Sequence, residues 1–266
     1  MIFRNYDGLD LLFRNNRPQS RISVLIVDNT EPELARADYL DRWSERPDVD
    51  VAGSGINHGY SGAADFALKT NENAAKADFV ILANTDLLFD FSELLSGIDE
   101  LSRTHDVATV GSVAPQLVSA DGESTRQLHY LKPPTAEELA RTALVYRSYR
   151  LASIHRRLAD AKRRLRGGSA QQIPTRIFAP HGAMIVVTRA YLQKTRGFDF
   201  PQFLFCEEHF VGFECADAGL SCVYAENLKY SHVNHGSMGS KPSRLLVGYL
   251  REAHEYAAER AAAAAR

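Results

Sequence analysis

The sequence predicts an α/β protein whose central sheet is mostly parallel and is flanked by helices. Three short apolar runs have the composition of buried strands: SVLIV at 23–27, VDVAG at 49–53 and FVILA at 79–83. Helix-like segments alternate with them at 32–43, which has a proline near its start, and at 61–77, which is rich in alanine. Because parallel strands need a crossover connection, this alternation indicates βαβ units covered by helices on both faces.

The composition fits one large domain and excludes several classes of protein. The chain has 266 residues, 45% of them hydrophobic, which is enough to bury a substantial core. A net charge of −2 provides no overall positive field for nucleic acid. The three cysteines have no C-x-x-C spacing, which argues against a disulfide framework and favours a reducing compartment. We see neither a signal peptide nor a membrane-spanning apolar run, so we expect a cytoplasmic protein.

Polar residues follow each of the three predicted strands. Asp28 follows the first, the loop INHGYSG at 56–62 follows the second, and Asn84 and Asp86 follow the third. In parallel sheets, ligands bind beyond the carboxyl ends of the strands, so these positions predict a nucleotide site. Asp86 taken alone has two interpretations, as the cap of a turn or as a ligand of a metal ion.

A second group of polar residues lies near the end of the chain. Glu207 and Glu208 come between an aromatic run and a short predicted helix that Gly219 can end. The helix dipole would keep such carboxylates ionised and able to accept protons, and adjacent positions face different ways, so only one should reach a given substrate. His232 and His235 follow in the segment LKYSHVNHGSMGS at 228–240, and a histidine on such a polar loop after a strand could complete a metal site that Asp86 begins.

Two helical segments have no assigned role at this stage. The segment 135–166 is helix-like and strongly basic, and it precedes Gly167 and Gly168, where a helix could stop. Its basic part, 141–166, could lie on an anionic membrane as a peripheral contact, or it could be an ordinary solvated face. The alanine-rich tail at 243–266 predicts a helix that either packs on the chain or forms a contact in a dimer.

Seven short motifs occur along the chain in a fixed order. They are VDN at 27–29, NHGYSGA at 57–63, NTD at 84–86, HGAM at 181–184, GFD at 197–199, FCEE at 205–208 and YSH at 230–232. An ordered set is more specific than any single motif. This set resembles that of family 2 glycosyltransferases with the GT-A fold. The resemblance covers roughly residues 20–240 and is greatest to bacterial rhamnosyltransferase-like and galactofuranosyltransferase-like members.

The resemblance implies a role for each matching position. Asp28 would contact the nucleotide base, and Asn57 and Gly59 would line the nucleotide pocket together with Asn84. Asp86 matches the last acid of the family's D-x-D motif, which binds a divalent metal, Mn²⁺ or Mg²⁺, on the donor diphosphate. His232 would be a second metal ligand. Glu208 would be the general base, with Glu207, His181 and Gly182 in the acceptor site.

The resemblance also implies an activity and a division of the chain. The activity is inverting transfer of a sugar from a nucleotide donor, first dTDP-rhamnose and otherwise a UDP-sugar. The acceptor would be a glycan or a lipid-linked saccharide in bacterial surface polysaccharide synthesis. Residues 1–240 would form the catalytic domain, with a nucleotide-sugar half at 1–110 and an acceptor half at 111–240 that carries the insertion 135–166. Residues 241–266 would form a C-terminal helix.

Two other functions stay open at this point. A relative that keeps the fold but has lost turnover would be a non-catalytic binding or scaffold protein, because fold does not guarantee function. A dinucleotide-binding oxidoreductase is disfavoured, because Gly53 and Gly55 are followed by Gly59, which does not match the G-x-G-x-x-G spacing.

Overall fold

A computed structural model of the chain describes residues 6–14, 16–118, 129–165, 173–232 and 243–264. The helices of these ranges are α1 (Asp7–Phe13), α2 (Ala37–Ser44), α3 (Gly59–Thr70), α4 (Glu72–Lys76), α5 (Phe91–Thr104), α6 (Ala136–Tyr146), α7 (Tyr149–Leu165), α8 (Arg189–Lys194), α9 (Glu207–Asp217) and α10 (Arg244–Ala264). The strands are β1 (Val24–Asp28), β2 (Val49–Gly53), β3 (Phe79–Ala83), β4 (Leu87–Leu88), β5 (Val110–Val118), β6 (Arg176–Ile177), β7 (Met184–Thr188) and β8 (Ser221–His232).

The strands of the described ranges form two sheets. β1 and β2 pair in parallel, and the larger sheet has the order β3-β7-β5-β8-β4, with β6 also on β8. β5 and β8 are parallel, whereas β7 is antiparallel to both of its neighbours and β4 and β6 are antiparallel to β8. The α/β class is therefore confirmed, but the described pairings are mixed rather than mostly parallel. The alternation in the first half of the chain could not show that β7, from much later in the sequence, lies between β3 and β5.

Two predicted helical segments are each divided in two. Asn71 has an extended backbone between α3 and α4, and its side chain accepts a hydrogen bond from the amide of Ala74, so it caps the second helix. The described part of the predicted segment 135–166 is helical, but it forms two helices, α6 and α7. Thr135 caps the start of α6 in a capping box, in which the side chain of each of Thr135 and Glu138 accepts a hydrogen bond from the backbone amide of the other.

Two elements were not expected from the sequence. β8 is the longest described strand, yet its exposed polar positions at Glu226, Asn227 and Lys229 weaken the strand pattern. The short helix α1 places Gly8 against the backbone of Thr85, where a Cβ atom would lie 1.9 Å from the carbonyl oxygen. A helix from the start of the chain thus packs directly on the turn that carries Asn84 and Asp86.

The core lies on both faces of the larger sheet. Residues 184–187 of β7 are fully inaccessible to solvent, as expected for a central strand covered on both sides. The C-terminal helix packs on the chain itself, where Ala253, Ala257 and Ala261 are buried against an aromatic cluster around Phe210. All three cysteines are free and buried. No helix among the described residues is long and apolar enough to span a membrane.

Candidate functional site

The candidate site begins where β3 ends and β7 starts. The amide of Asn84 donates a hydrogen bond to the carbonyl of Ala183 at 3.3 Å, which continues the antiparallel pairing past the end of β3. The motif at 84–86 therefore lies beside His181 and Gly182, although the two segments are about a hundred residues apart in the sequence.

Asp86 and His232, the two predicted metal ligands, lie close together at this edge. Leu87 pairs with His232 across the strands β4 and β8, which brings Nε2 of His232 to 3.5 Å from Oδ2 of Asp86. The other carboxylate oxygen of Asp86, Oδ1, is buried and has no hydrogen-bond partner within the described residues. An unpaired buried carboxylate oxygen is costly and suits a cation, which would give it a partner.

This pair fits a divalent metal ion that also binds a substrate. No group of three or more His, Cys, Asp or Glu side chains in the described ranges could hold a metal by itself. Mg²⁺ and similar ions are commonly held by one or two protein carboxylates together with substrate phosphates and water. A carboxylate with a neighbouring imidazole is therefore an appropriate set of protein ligands for an ion whose remaining ligands come from a diphosphate.

Glu208 lies at the start of α9 and faces the same edge. Its Oε1 accepts a hydrogen bond from the hydroxyl of Tyr130 at 3.2 Å, and its side chain is 16% exposed. Gly182 makes room for the other oxygen, because a Cβ atom there would lie 2.9 Å from Oε2 of Glu208. The ring of His209 packs on Tyr130, and its Nδ1 lies 3.8 Å from Oε1 of Glu208. Glu208 is thus held in place but open to a ligand.

The neighbouring Glu207 points into the protein. It is buried, and its Oε1 accepts a hydrogen bond from the amide of Phe205 at 2.9 Å. Burial, and secondarily the charge of Glu208, raises the pKa of Glu207 well above its ordinary value. Burial therefore acts against the expected effect of the helix dipole at Glu207, because desolvation disfavours the ionised carboxylate. Contact between Glu207 and an acceptor stays a prediction.

The chain turns sharply just before these glutamates. Phe205 and Cys206 both have positive φ angles, 75° and 62°, and they are the only non-glycine residues of the described ranges that do. Such conformations are strained for L-residues and cluster at functional sites, where surrounding structure maintains them. Here the turn directs Glu208 toward the sheet edge.

His181 lies between Glu208 and the Asp86–His232 pair. Its Nδ1 is 3.2 Å from the hydroxyl of Tyr230. Burial lowers the pKa of His181, while Glu208 acts in the opposite direction and His232 adds to the lowering. His129 receives a hydrogen bond from the amide of His181, and burial lowers the pKa of His129 to about 4.

The predicted nucleotide residues lie at the ends of β1 and β2. Asp28 is buried, and its carboxylate accepts hydrogen bonds from the hydroxyl of Tyr6 at 2.7 Å and from the amide of Thr30 at 2.9 Å. Its side chain thus already has two partners within the protein. The predicted contact between Asp28 and a base stays a prediction.

The loop after β2 is anchored to the loop after β1. Asn29 donates a hydrogen bond to the carbonyl of Gly59 and accepts one from the amide of His58, both at 2.8 Å. Asn57 accepts a hydrogen bond from the amide of Gly59 at 3.0 Å. Gly59 has a positive φ of 74°, and a Cβ atom there would lie 2.0 Å from the carbonyl oxygen of Phe203. The predicted nucleotide loop therefore packs against the segment that leads into α9.

Tyr60 connects the two groups of predicted residues. Its hydroxyl donates a hydrogen bond to the carbonyl of Gly182 at 2.9 Å. Burial raises the pKa of Tyr60, and the nearby charges of Glu207, Glu208 and Asp86 raise it further. The residues predicted for the metal, the base and the acceptor therefore share one edge of the sheet. The sequence analysis assigned no role to Tyr60 or Tyr230, although both lie within the quoted motifs, and it missed Tyr130, which lies outside all of them.

Comparison with solved structures identifies the architecture. A mannosyltransferase of Pyrobaculum calidifontis, PcManGT, in complex with GDP-Man and Mn²⁺, aligns with a TM-score of 0.55 and 14% identity over 99% of this chain and 71% of its own. GalNAc-T7 with UDP, GalNAc and Mn²⁺ aligns with a TM-score of 0.51 and 13% identity over 83% of this chain and 39% of its own. TarS of S. aureus aligns with a TM-score of 0.50 and 10% identity over 87% of this chain and 35% of its own.

The chain has the GT-A fold. This confirms the predicted fold class. Identities of 10–14% establish the fold alone, and the chain spans little more than a third of GalNAc-T7 and of TarS. No model of a known sequence family matches the GT-A chain. No curated protein matches it significantly either. Its described strands do not form the continuous parallel βαβ sheet that the dinucleotide-binding alternative requires.

Proposed function

We propose that the chain is an inverting, metal-dependent glycosyltransferase that transfers a sugar from a nucleotide donor to a saccharide hydroxyl. One observation carries the proposal. A carboxylate–histidine pair with an unpartnered buried oxygen, Asp86 with His232, shares one sheet edge with Glu208, an accessible carboxylate held at a helix start. The Asp86–His232 pair is suited to bind a cation on a diphosphate, and Glu208 is suited to act as a proton acceptor.

Asp86 and His232 would hold a Mn²⁺ or Mg²⁺ ion, which supplies positive charge to stabilise the departing diphosphate. Glu208 takes the proton of the attacking acceptor hydroxyl through its carboxylate. The hydroxyl oxygen forms a bond to the anomeric carbon as the bond from that carbon to the phosphate oxygen breaks. A base on the face opposite the leaving group gives inversion at the anomeric carbon. Tyr130 and Gly182 would keep the Glu208 carboxylate in position.

The donor, acceptor and cellular role are finer parts of the same proposal. dTDP-rhamnose is the first candidate donor by motif resemblance, with UDP-sugars next. Two of the structural neighbours are complexes with UDP or GDP-Man and Mn²⁺. The acceptor would be a glycan or lipid-linked saccharide in bacterial surface polysaccharide synthesis on the cytoplasmic side of the membrane. Residues 1–110 would form the donor half of the domain and 111–240 the acceptor half.

Thermal stability of the purified protein with UDP, dTDP, GDP or NAD, each with and without Mn²⁺, tests the donor site. A ligand that binds only the folded state raises Tm, by an amount that reflects its concentration relative to Kd. We expect one nucleoside diphosphate to raise Tm only when Mn²⁺ is present, and Asp86→Asn to abolish this shift. Asp41→Asn, at an exposed position of α2, is the matched control. The absence of any shift would favour the non-catalytic alternative.

Sugar transfer by a Glu208→Gln variant tests the base. Removal of a general base typically costs about 10²–10⁴-fold in rate, so we expect transfer to fall by at least about 100-fold. The nucleotide-dependent rise in Tm should persist, because Glu208 is not a proposed ligand of the donor. Glu226→Gln, on the exposed side of β8, should transfer at the wild-type rate. Full activity of Glu208→Gln would show that the base assignment is wrong.

A further inference from the structure

The helix α7 presents an unusual surface to solvent. Leu151, Ile154 and Leu158 are 52%, 53% and 65% exposed. Their spacing of three and four residues places them on one stripe of the helix. A different face of α7, which includes the buried Ala152, faces the protein, and the helix packs on α6 and α10. Three large aliphatic side chains in one exposed row are a recognised mark of an interaction site.

The sequence of α7 and its flanks carries an excess of positive charge. The sequence from 147 to 166 contains eight Lys and Arg residues and one Asp, whereas the whole chain has 31 basic and 33 acidic residues. Arg150 and Arg157 are exposed, and on a helical projection they flank one edge of the stripe. A helix with an aliphatic stripe bordered by basic residues, within a chain of net negative charge, is complementary to a surface that is both anionic and apolar.

We propose that α7 docks the protein on an anionic lipid bilayer. An interfacial helix buries its aliphatic stripe at the boundary of the headgroups while its arginines pair with lipid phosphates. A soluble polyanion would explain the arginines but leave the exposed leucines without a role. A second copy of the chain would have to bring two equally basic helices together, which electrostatic repulsion opposes. The bilayer satisfies both the apolar and the charged features.

Docking through α7 would serve sugar transfer to a membrane-embedded acceptor, an inference that rests on the proposed function. Tyr146, at the end of α6, packs its ring on His254 with centroids 5.3 Å apart. Nδ1 of His254 lies 3.7 Å from the sulfur of Cys206, the residue before Glu207. The end of α6, just before α7 begins at Tyr149, is thus connected through two side chains to the turn that orients Glu208. For a lipid-linked acceptor, docking through α7 would bring the enzyme to the bilayer in which that acceptor is embedded.

Co-sedimentation of the full chain with vesicles tests the docking without depending on catalysis. We expect binding to vesicles of phosphatidylglycerol and phosphatidylcholine at low salt, weaker binding at high salt, and little binding to phosphatidylcholine alone. A Leu151→Ser, Ile154→Ser, Leu158→Ser variant should bind at least about tenfold more weakly, because the aliphatic stripe supplies the apolar part of the affinity. Leu245→Ser, at a leucine that is 64% exposed on α10, is the matched control.

Each outcome decides the proposal. It is overturned if the chain fails to bind anionic vesicles at low salt, if the triple variant binds as well as wild type, or if soluble polyphosphate displaces the chain fully while the leucines prove unimportant. A dimer that dissociates in the triple variant, together with absence of vesicle binding, would assign the stripe to a second copy. The nucleotide-dependent Tm shift of the triple variant should equal that of wild type, so failure of docking and failure of the proposed function are distinguishable.

Discussion

At the scale of single residues, the adjacent glutamates at the start of α9 have opposite environments. Glu207 is buried and bonded to the backbone of Phe205, whereas Glu208 is partly exposed and bonded to Tyr130. Successive residues of a helix point about 100° apart, so one of the pair must face the interior when the other faces the sheet edge. Glu208 is therefore the member of the pair that can meet a substrate.

The raised pKa of Glu207 predicts a pH-dependent stability. The buried carboxyl is more stable in its neutral form, so its favourable contribution is complete below the ordinary pKa of 4.5 and is lost as the pH rises through its raised pKa in the folded state. Glu207→Gln is neutral at every pH and can still accept the hydrogen bond from Phe205. We expect its Tm, relative to wild type, to rise between about pH 5 and pH 9.

Differential scanning calorimetry at several pH values across this window would measure the effect. Glu226→Gln, at an exposed position, serves as the control and should differ from wild type by the same small amount at every pH. A Tm difference for Glu207→Gln that is constant with pH would contradict the raised pKa.

At the scale of elements, α10 supports α9 and hence the proposed base. Ala253, Ala257 and Ala261 are spaced four residues apart and form one buried face, on which Phe210 and Phe213 of α9 pack. Small side chains let the two helices approach closely. Their contact also includes an ion pair between Arg260 and Asp217. The C-terminal tail, which the sequence left open as a packing arm or a dimer contact, is an internal packing element in the structure.

Enlarging this face should destabilise the protein. Ala257→Leu adds three carbon atoms to a position that is 3% exposed, and overpacking of this kind costs about 1–3 kcal/mol. For a chain of this size, Tm should fall by about 2–4 °C per kcal/mol. Ala263→Leu places the same side chain at an exposed position of the same helix and should leave Tm unchanged. Equal Tm values for the two variants would show that the alanine face of α10 is not tightly packed against α6 and α9.

At the scale of the whole molecule, the proposed donor and acceptor halves meet at Gly59. The backbone of Phe203 lies so close that its carbonyl oxygen accepts a hydrogen bond from the amide of Tyr60 at 3.2 Å, and a Cβ atom at Gly59 would lie 2.0 Å from that oxygen. Tyr60 then reaches Gly182 with its hydroxyl. The predicted nucleotide loop and the turn before α9 therefore cannot move independently.

A comparison of alanine variants at two glycines distinguishes the effect of this close contact from the effect of backbone strain alone. Gly59 and Gly55 have φ angles of 74° and 69°, so alanine at either site pays for the left-handed conformation, about 1 kcal/mol. Near Gly55, only Cγ of Pro32 approaches the Cβ position, at 3.7 Å. We expect Gly59→Ala to lower Tm clearly more than Gly55→Ala and also to weaken nucleotide-dependent stabilisation. Equal losses of Tm in the two variants would contradict a close junction between the halves.

The sequence alone determined the local features of this protein. The apolar runs at 23–27, 49–53 and 79–83 form β1, β2 and β3, because short β-branched and aromatic runs suit buried strands. The polar residues after β1 and β3 fall at strand ends as predicted. The ordered motifs led to the GT-A fold, which the structural comparisons confirm.

Only the tertiary structure decided which distant segments meet. The pairing of β7 between β3 and β5, and of β4 with β8, depends on contacts between parts of the chain that no local periodicity connects. Those pairings bring His232 to Asp86 and Ala183 to Asn84. Burial likewise gives Glu207 and Glu208 different environments. Desolvation depends on which groups surround a carboxyl group in the folded protein, and the identity of two adjacent residues in the sequence does not reveal this.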